Sequence, residues 1–192
     1  MVYVGILGFG VVGSGVAEVI SMNAEKISGH LKDELSVKRI LDIRDFPDSP
    51  YAELMTKNAE EFFSDKDISV VVETIGGVGV AFEFTKRALS LGQTVVTSNK
   101  ELVATHGVEL MKMANDNGCA YLFEAAVGGG IPIIRPLHRC LAANRIMRIA
   151  GIVNGTTNYV LSQMARTETT FEYALSRAQI QGYAENDPSA DI

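Results

Sequence analysis

Cysteine is scarce, clustered basic residues are missing and internal repeats are absent, and each shortage removes a class of function. The 192 residues hold two cysteines, Cys119 and Cys140. They form no CxxC pair and no Cys/His spacing of a zinc site, so neither a disulfide framework nor a cysteine metal centre is expected. Both thiols read as reduced and buried. Lys and Arg number 17 against 23 Asp and Glu, a net charge of −6. Because nucleic-acid affinity draws on clustered cations, this balance argues against DNA or RNA as a partner. Residues 1–20 are apolar enough to suggest a leader or a membrane span, yet they have no basic start, contain five glycines and place Glu18 inside the run. No membrane partner and a cytoplasmic location are therefore expected.

What is present is a globular composition, 47% hydrophobic and 21% charged, in a length that suits one domain or one and a fraction. Tyr3–Leu7 is a short apolar run ending at Gly8, as in a strand buried on both faces. From Val11 the pattern turns helical, with Val12, Val16, Val19 and Ile20 as its apolar face. A polar stretch, Asn23–Glu34, lengthens the crossover to a second strand, Val37–Ile43. A loop with Pro47 and Pro50 then precedes a helical segment near Tyr51–Ala59. The alternation continues as strand Ile68–Glu73, helix Val80–Leu91, strand Thr94–Thr97, helix Glu101–Asn117 and strand Ala120–Phe123. Strands alternating with helices of this length predict a parallel sheet covered on both faces, a doubly wound, Rossmann-type α/β domain over residues 1–128.

The rhythm breaks at Gly128-Gly129-Gly130. Over residues 129–192 the pattern predicts a helix opened by Pro132 with Ile133, Leu137 and Leu141 on its apolar face. A strand Arg145–Val153, a turn at Asn154-Gly155 and helices near Asn158–Ala165 and Thr170–Gln181 follow. The two helices and one strand beyond the Pro132 helix do not close a core, so this part is expected to be an incomplete α+β domain.

Gly8-x-Gly10-x-x-Gly13 falls between a strand and a helix, where glycines permit a tight turn and backbone N–H groups at the helix start approach a pyrophosphate. Phe9, Val11 and Val12 belong to the same turn. A dinucleotide, NAD or NADP, is the ligand expected there. The acidic partner that usually holds the ribose is displaced by the polar insertion to the end of the second strand, at Asp42, Arg44 or Asp45. A carboxylate there favours NAD, whereas Arg44, with Lys57, could neutralise the 2′-phosphate of NADP; a solvated loop charge is the alternative for Arg44. Glu73-Thr74-Ile75-Gly76-Gly77 and Thr97-Ser98-Asn99-Lys100 follow the next two strands at the ligand-binding edge. Lys100 stands there at a helix start, where a cation is electrostatically disfavoured unless it has work to do. The Glu124–Ile131 loop could ring a hard cation with its carbonyls or serve as an interdomain hinge. The carboxylates of Gly182–Asp191 suit an ammonium or hydroxyl group on a small substrate, or simply end a helix. His30, His106 and His138 have no partner spacing and read as surface or packing residues.

GFGVVG, ETIGG, TSNK, FEAAVGGGIP, GIVNGTTNY and GYAENDPSADI, in this order over essentially the whole chain, closely resemble homoserine dehydrogenase. The remainder of that family's signature, G-x-D-x-x-x-K with its proton-donor lysine, does not occur within these residues. The resemblance implies reversible hydride transfer between NAD(P)H and L-aspartate 4-semialdehyde, giving L-homoserine for threonine and methionine, in a homodimer when the protein is complete. It implies that Gly8–Gly13 hold the pyrophosphate, that Thr74 and Lys100 border the nicotinamide and that Gly182 touches the cofactor. Thr156, Tyr183, Glu185 and Asp191 would line the substrate pocket, with Glu185 on the amino group. Glu124 with the carbonyls of Val127, Gly129 and Ile131 matches the family's sodium site. Lys100 would stabilise charge, and the 192 residues by themselves would be nearly inactive. A non-catalytic dinucleotide-binding regulatory or redox-sensing module is the competing expectation.

Overall fold

The computed structural model describes residues 1–152 and 154–184. Contacts divide the chain into two compact units, Met1–Ala126 and Val127–Ile192. The first unit is one six-stranded, all-parallel sheet in the order β3-β2-β1-β4-β5-β6. Its strands are β1 (Val2–Leu7), β2 (Leu35–Leu41), β3 (Met55–Thr56), β4 (Ile68–Glu73), β5 (Thr94–Thr97) and β6 (Tyr121–Leu122). The helices are α1 (Val11–Met22), α2 (Ala24–Leu31), α3 (Ala59–Ser64), α4 (Gly79–Ser90) and α5 (Lys100–Asp116). This is the doubly wound α/β fold, with chain reversal of strand order between β1 and β4.

Period-two alternation places the core on both faces of the sheet. Ile6 and Val72 join Val4, Phe9, Ala17, Ile20 and Ile40 in one buried cluster. Their neighbours Leu7 and Val71 join Phe62, Leu89, Val95, Leu102 and Leu110 in the other. Each Val, Leu, Ile or Phe side chain so removed from water contributes about 1.5–3 kcal/mol.

Several local expectations are corrected. The buried face of α1 is Gly13, Ala17 and Ile20, while Val12 and Val19 are about half exposed. The reason is steric: a Cβ at Gly13 would stand 2.0 Å from the Gly8 carbonyl oxygen, so the helix turns its smallest side against the sheet. The crossover Asn23–Glu34 contains α2, and the Tyr51–Ala59 segment is a 3-10 turn (Ala52–Leu54) followed by β3 and the start of α3. Cys119 is half-buried and Cys140 exposed, both unpaired.

In the second unit, a short π-helical turn, Pro136–Cys140, stands where a longer helix was expected. Residues 145–152 form no strand. A strand needs a hydrogen-bonding neighbour, and no described strand in this unit offers one. The hairpin α6 (Gly155–Thr167) and α7 (Phe171–Ile180) closes a small cluster of Val160, Ala174 and Ala178. Asn154 and Thr170 cap the two helices, accepting from the Thr157 and Tyr173 amides. No described helix is long and apolar enough to cross a membrane.

Candidate functional site

The glycine turn follows β1 at the carboxyl edge of the sheet. Gly8 has φ +89°, and a Cβ there would meet the Thr74 backbone within 3.0 Å. Its N–H donates to the Leu41 carbonyl at 2.8 Å, and the Thr74 hydroxyl is shared between the Leu7 and Gly8 carbonyls at 3.1 and 2.9 Å. The turn is thereby tied to the ends of β2 and β4. Gly10 is the N-cap of α1, with no side-chain cap and no acidic residue in the first turn. The Val11 and Val12 amides stand in that first turn, where backbone donors lack intrahelical acceptors and the helix dipole favours an anion.

Beyond β2, Asp42 is buried and is the first residue past the strand end. Its Oδ2 accepts the Phe9 N–H at 2.7 Å, which locks it to the glycine turn. Arg44 folds back on the same carboxylate, Nε on Oδ1 at 3.0 Å and Nη2 on Oδ2 at 2.8 Å, while its guanidinium lies 5.1 Å from the Phe46 ring centre. Hydrogen bonding from the Arg44 side chain, then from the Arg44 and Phe9 amides, outweighs burial and lowers the Asp42 pKa to about 2. Lys57 pairs with Asp45 at 2.7 Å beside a hollow lined by Asp42, Arg44 and Phe46.

Gly8, Gly10, Asp42, Arg44, Thr74 and Phe84 surround a cleft of about 460 Å³. Ile43, Ile75 and Val80 also line it; Ile43 is largely exposed, Val80 about half and Ile75 about a third. These apolar walls were not among the expected site residues. The sequence pattern puts Ile43 at the end of the second strand, whereas β2 stops at Leu41, so no local signal marked Ile43 as a wall of the site. An apolar slot with a few convergent polar groups is what a flat nucleotide base requires.

On the other side of the glycine turn, Asn99 caps α5, its side-chain oxygen accepting the Leu102 N–H at 3.0 Å. Lys100 is therefore the first residue of α5, exposed at the carboxyl edge of β5.

The second unit brings two expected substrate residues together. The Thr156 hydroxyl donates to the Tyr183 carbonyl at 2.6 Å, and the Tyr183 ring stacks on Tyr159 at 4.8 Å. Gly182 adopts φ +77° just past Gln181, the C-cap of α7. Glu185 and Asp191 lie outside the described residues. Glu124 sits in a 3-10 turn ending the first unit, and Val127, Gly129 and Ile131 open the second. Gly128 and Gly129 have positive φ, and the Ile131 N–H donates to the Gly128 carbonyl at 3.0 Å. Among the described residues, no three His, Cys, Asp or Glu side chains gather as metal ligands. His106 stacks on Phe82 at 3.9 Å, and His30 and His138 are exposed.

Comparison with known proteins adds independent findings. Residues 8–124 match the family described as "Homoserine dehydrogenase, NAD binding domain", and residues 132–192 match "Homoserine dehydrogenase". A homoserine dehydrogenase of Neisseria gonorrhoeae is 43% identical over all of this chain and 44% of its own length. The crystal structure of a homoserine dehydrogenase from Thiobacillus denitrificans superposes with a TM-score of 0.87 at 42% identity, covering 100% of this chain and 45% of that one. A hyperthermophilic archaeal homoserine dehydrogenase in complex with NADPH gives 0.79 at 31% identity, covering 100% of this chain and 64% of that one. The chain thus spans less than half the length of the bacterial relatives it matches.

Proposed function

The chain belongs to the homoserine dehydrogenase family, and from that premise we propose that it carries the dinucleotide site and part of the substrate site of an NAD(P)-dependent oxidoreductase. The reaction is interconversion of L-homoserine and L-aspartate 4-semialdehyde, a step toward threonine and methionine. The observation that carries this reading is the uncapped first turn of α1 opening, through Gly10, into the cleft between Asp42/Arg44 and Thr74/Ile75.

The residues fit a dinucleotide. Within the Gly8–Gly13 turn, the Gly8 and Phe9 amides are already engaged, so the backbone donors of Gly10 and the first turn of α1 take the pyrophosphate, with Ile43, Val80 and Phe84 offering apolar walls to a base. Asp42, held ionised, accepts from ribose hydroxyls, and Arg44 turned outward meets a 2′-phosphate with two charge-assisted bonds. When bound, the nicotinamide supplies or takes the hydride. As hydride reaches the aldehyde carbon, negative charge grows on its oxygen, and Lys100 stabilises that charge from the first turn of α5. The proton comes from the lysine of the family signature, which is not among these residues. Thr156 and Tyr183, with Glu185 and Asp191, hold the amino acid end of the substrate, and Gly182 approaches the cofactor. Glu124 and the carbonyls of Val127, Gly129 and Ile131 are an all-oxygen donor set, the chemistry a hard cation such as sodium takes.

The test is titration of the 192-residue chain with NADH and NADPH, followed by turnover of homoserine with NAD(P) by the chain and by a full-length relative. Binding by both, with turnover by the chain lower by about 10²-fold or more, is expected from loss of a general acid. Equal turnover would assign the acid to a residue present here, Lys100 first. Binding with no turnover in a full-length protein would return the chain to the regulatory-module reading.

A further inference from the structure

Leu7, Glu73 and Thr97 are register partners across the ends of β1, β4 and β5. Glu73 is fully buried, an acidic group that neither phosphate binding nor the substrate chemistry above employs. Removing a carboxylate from water is costly unless its oxygens are hydrogen-bonded, and both are. Oε1 accepts the Ile75 N–H at 2.8 Å and Oε2 accepts the Thr97 hydroxyl at 2.6 Å. The Thr97 oxygen accepts in turn from the Asn99 N–H at 2.9 Å. Asn99 then acts in two directions, donating its amide to the Gly77 carbonyl at 2.6 Å and capping α5 through Leu102. With Thr74 bound to the Gly8 carbonyl, one polar strap runs from the glycine turn through both later loops to the helix that begins with Lys100.

We infer that Glu73 is a positioning residue for the nicotinamide half of the cofactor site, fixing the Ile75–Gly77 loop against the first turn of α5. The inference rests on the dinucleotide reading above. In this strand order Asp42 and Arg44 take the adenosine half on the β2 side of the turn, so the other mononucleotide lies over β4 and β5. The Thr97–Asn99–Gly77 links of the strap stand on that side, whereas Thr74 and Ile75 also line the cleft beside Asp42 and Arg44. Tyr121 goes unserved by it: its hydroxyl is buried with no partner among the described residues, and burial, then the Glu73 charge, raises its pKa. The carboxylate's bonds are spent on the loops, not on the nearby phenol.

Only a carboxylate satisfies both loops. With Gln at this position, an oxygen kept on Thr97 turns the NH₂ group toward the Ile75 N–H. The opposite orientation lets the NH₂ group donate to Thr97 but strips the threonine proton of its acceptor. Either arrangement leaves a buried donor without a partner.

The test compares NADPH and NADH with ADP-ribose, which lacks the nicotinamide ring, by calorimetric titration of the 192-residue chain. The isosteric Thr97→Val, which leaves the Ile75 N–H on Glu73, should weaken NAD(P)H binding by about 10-fold while ADP-ribose affinity stays within about 2-fold, and Glu73→Gln should weaken NAD(P)H binding more than ADP-ribose binding. Thr97→Ser, which keeps the hydroxyl, should restore the wild-type ratio. Thr97→Val gives the decisive comparison where Glu73→Gln does not fold. Equal losses for both ligands would reveal a general structural role and overturn the inference, as would no loss for either. Failure of the wild-type chain to bind NAD(P)H or ADP-ribose would instead remove the dinucleotide reading itself.

Discussion

Gly10 and Gly13 stand in one turn and answer to different neighbours. At Gly13 an added Cβ would meet the Gly8 carbonyl oxygen at 2.0 Å, whereas at Gly10 nothing comes closer than Arg44 Nη2 at 3.8 Å. The protein itself has room for a methyl group at Gly10, whose backbone is extended; the arriving pyrophosphate does not. Gly10→Ala is expected to fold with a near-wild-type melting temperature and to lose NAD(P)H affinity by at least about 10-fold. Gly13→Ala should lose the fold first. Calorimetry alongside thermal melting checks both, and a Gly10→Ala chain that binds normally would mean the pyrophosphate does not cross this residue. Asp42 makes a second residue-scale statement. Its folded pKa, about 2, lies below the ordinary value of about 3.9. Its stabilising contribution is therefore complete above the ordinary value and lost as pH falls through the folded one. Arg44→Ala removes the largest cause and should move acid unfolding of the first unit to higher pH, as circular dichroism against pH would read. An unchanged midpoint would show the pair to be too solvent-screened to matter.

Elements were legible in proportion to how much of their pattern was local. β4 and β5 occupy the runs read from the sequence, Ile68–Glu73 and Thr94–Thr97, because a parallel strand buried on both faces is a continuous β-branched stretch. The helical face of α1 was misread because its valines supply most of its apolar pattern, while a backbone approach at Gly13 decides which side packs. β3 is two residues long and exists only through its pairing with β2, which no local pattern announces. In the site, Gly8–Gly13 and Lys100 were visible as motifs, but Asp42's lock on the Phe9 amide joins residues 33 apart in sequence and was not. Gly5 is another long-range case. A Cβ there would stand 2.5 Å from Cζ of Phe62 and 3.2 Å from Ile68 Cγ2, and Phe62 is fully buried. Gly5→Ala should destabilise the first unit by about 1–3 kcal/mol through overpacking. Combining it with Phe62→Leu should recover part of the loss, because the ring tip is then absent. A double-mutant cycle in urea with no coupling would show that α3 shifts freely away from β1.

At the scale of the whole chain, the two units differ in how much apolar surface they enclose. The first unit buries two clusters against opposite sheet faces, and among the described residues the second closes a small cluster of Val160, Ala174 and Ala178 between two helices. Within the second unit, residues 141–152 are exposed throughout, with Met147 and Ile149 showing 78% and 68% of their surface. A segment with few buried contacts opens locally at little cost. Limited proteolysis should therefore cut first within residues 141–152 and leave a fragment containing Met1–Ala126 that resists further digestion. Hydrogen exchange should rank the same way, with β1 and β4 amides protected far longer than those of α6 and α7. Every side chain lining the cleft, from Gly8 to Phe84, lies in the first unit. The protected fragment should then bind NAD(P)H as the uncut chain does, to within about 3-fold. A fragment that stays folded but loses the dinucleotide would show that residues beyond Ala126, Gly182 foremost, supply part of the binding energy.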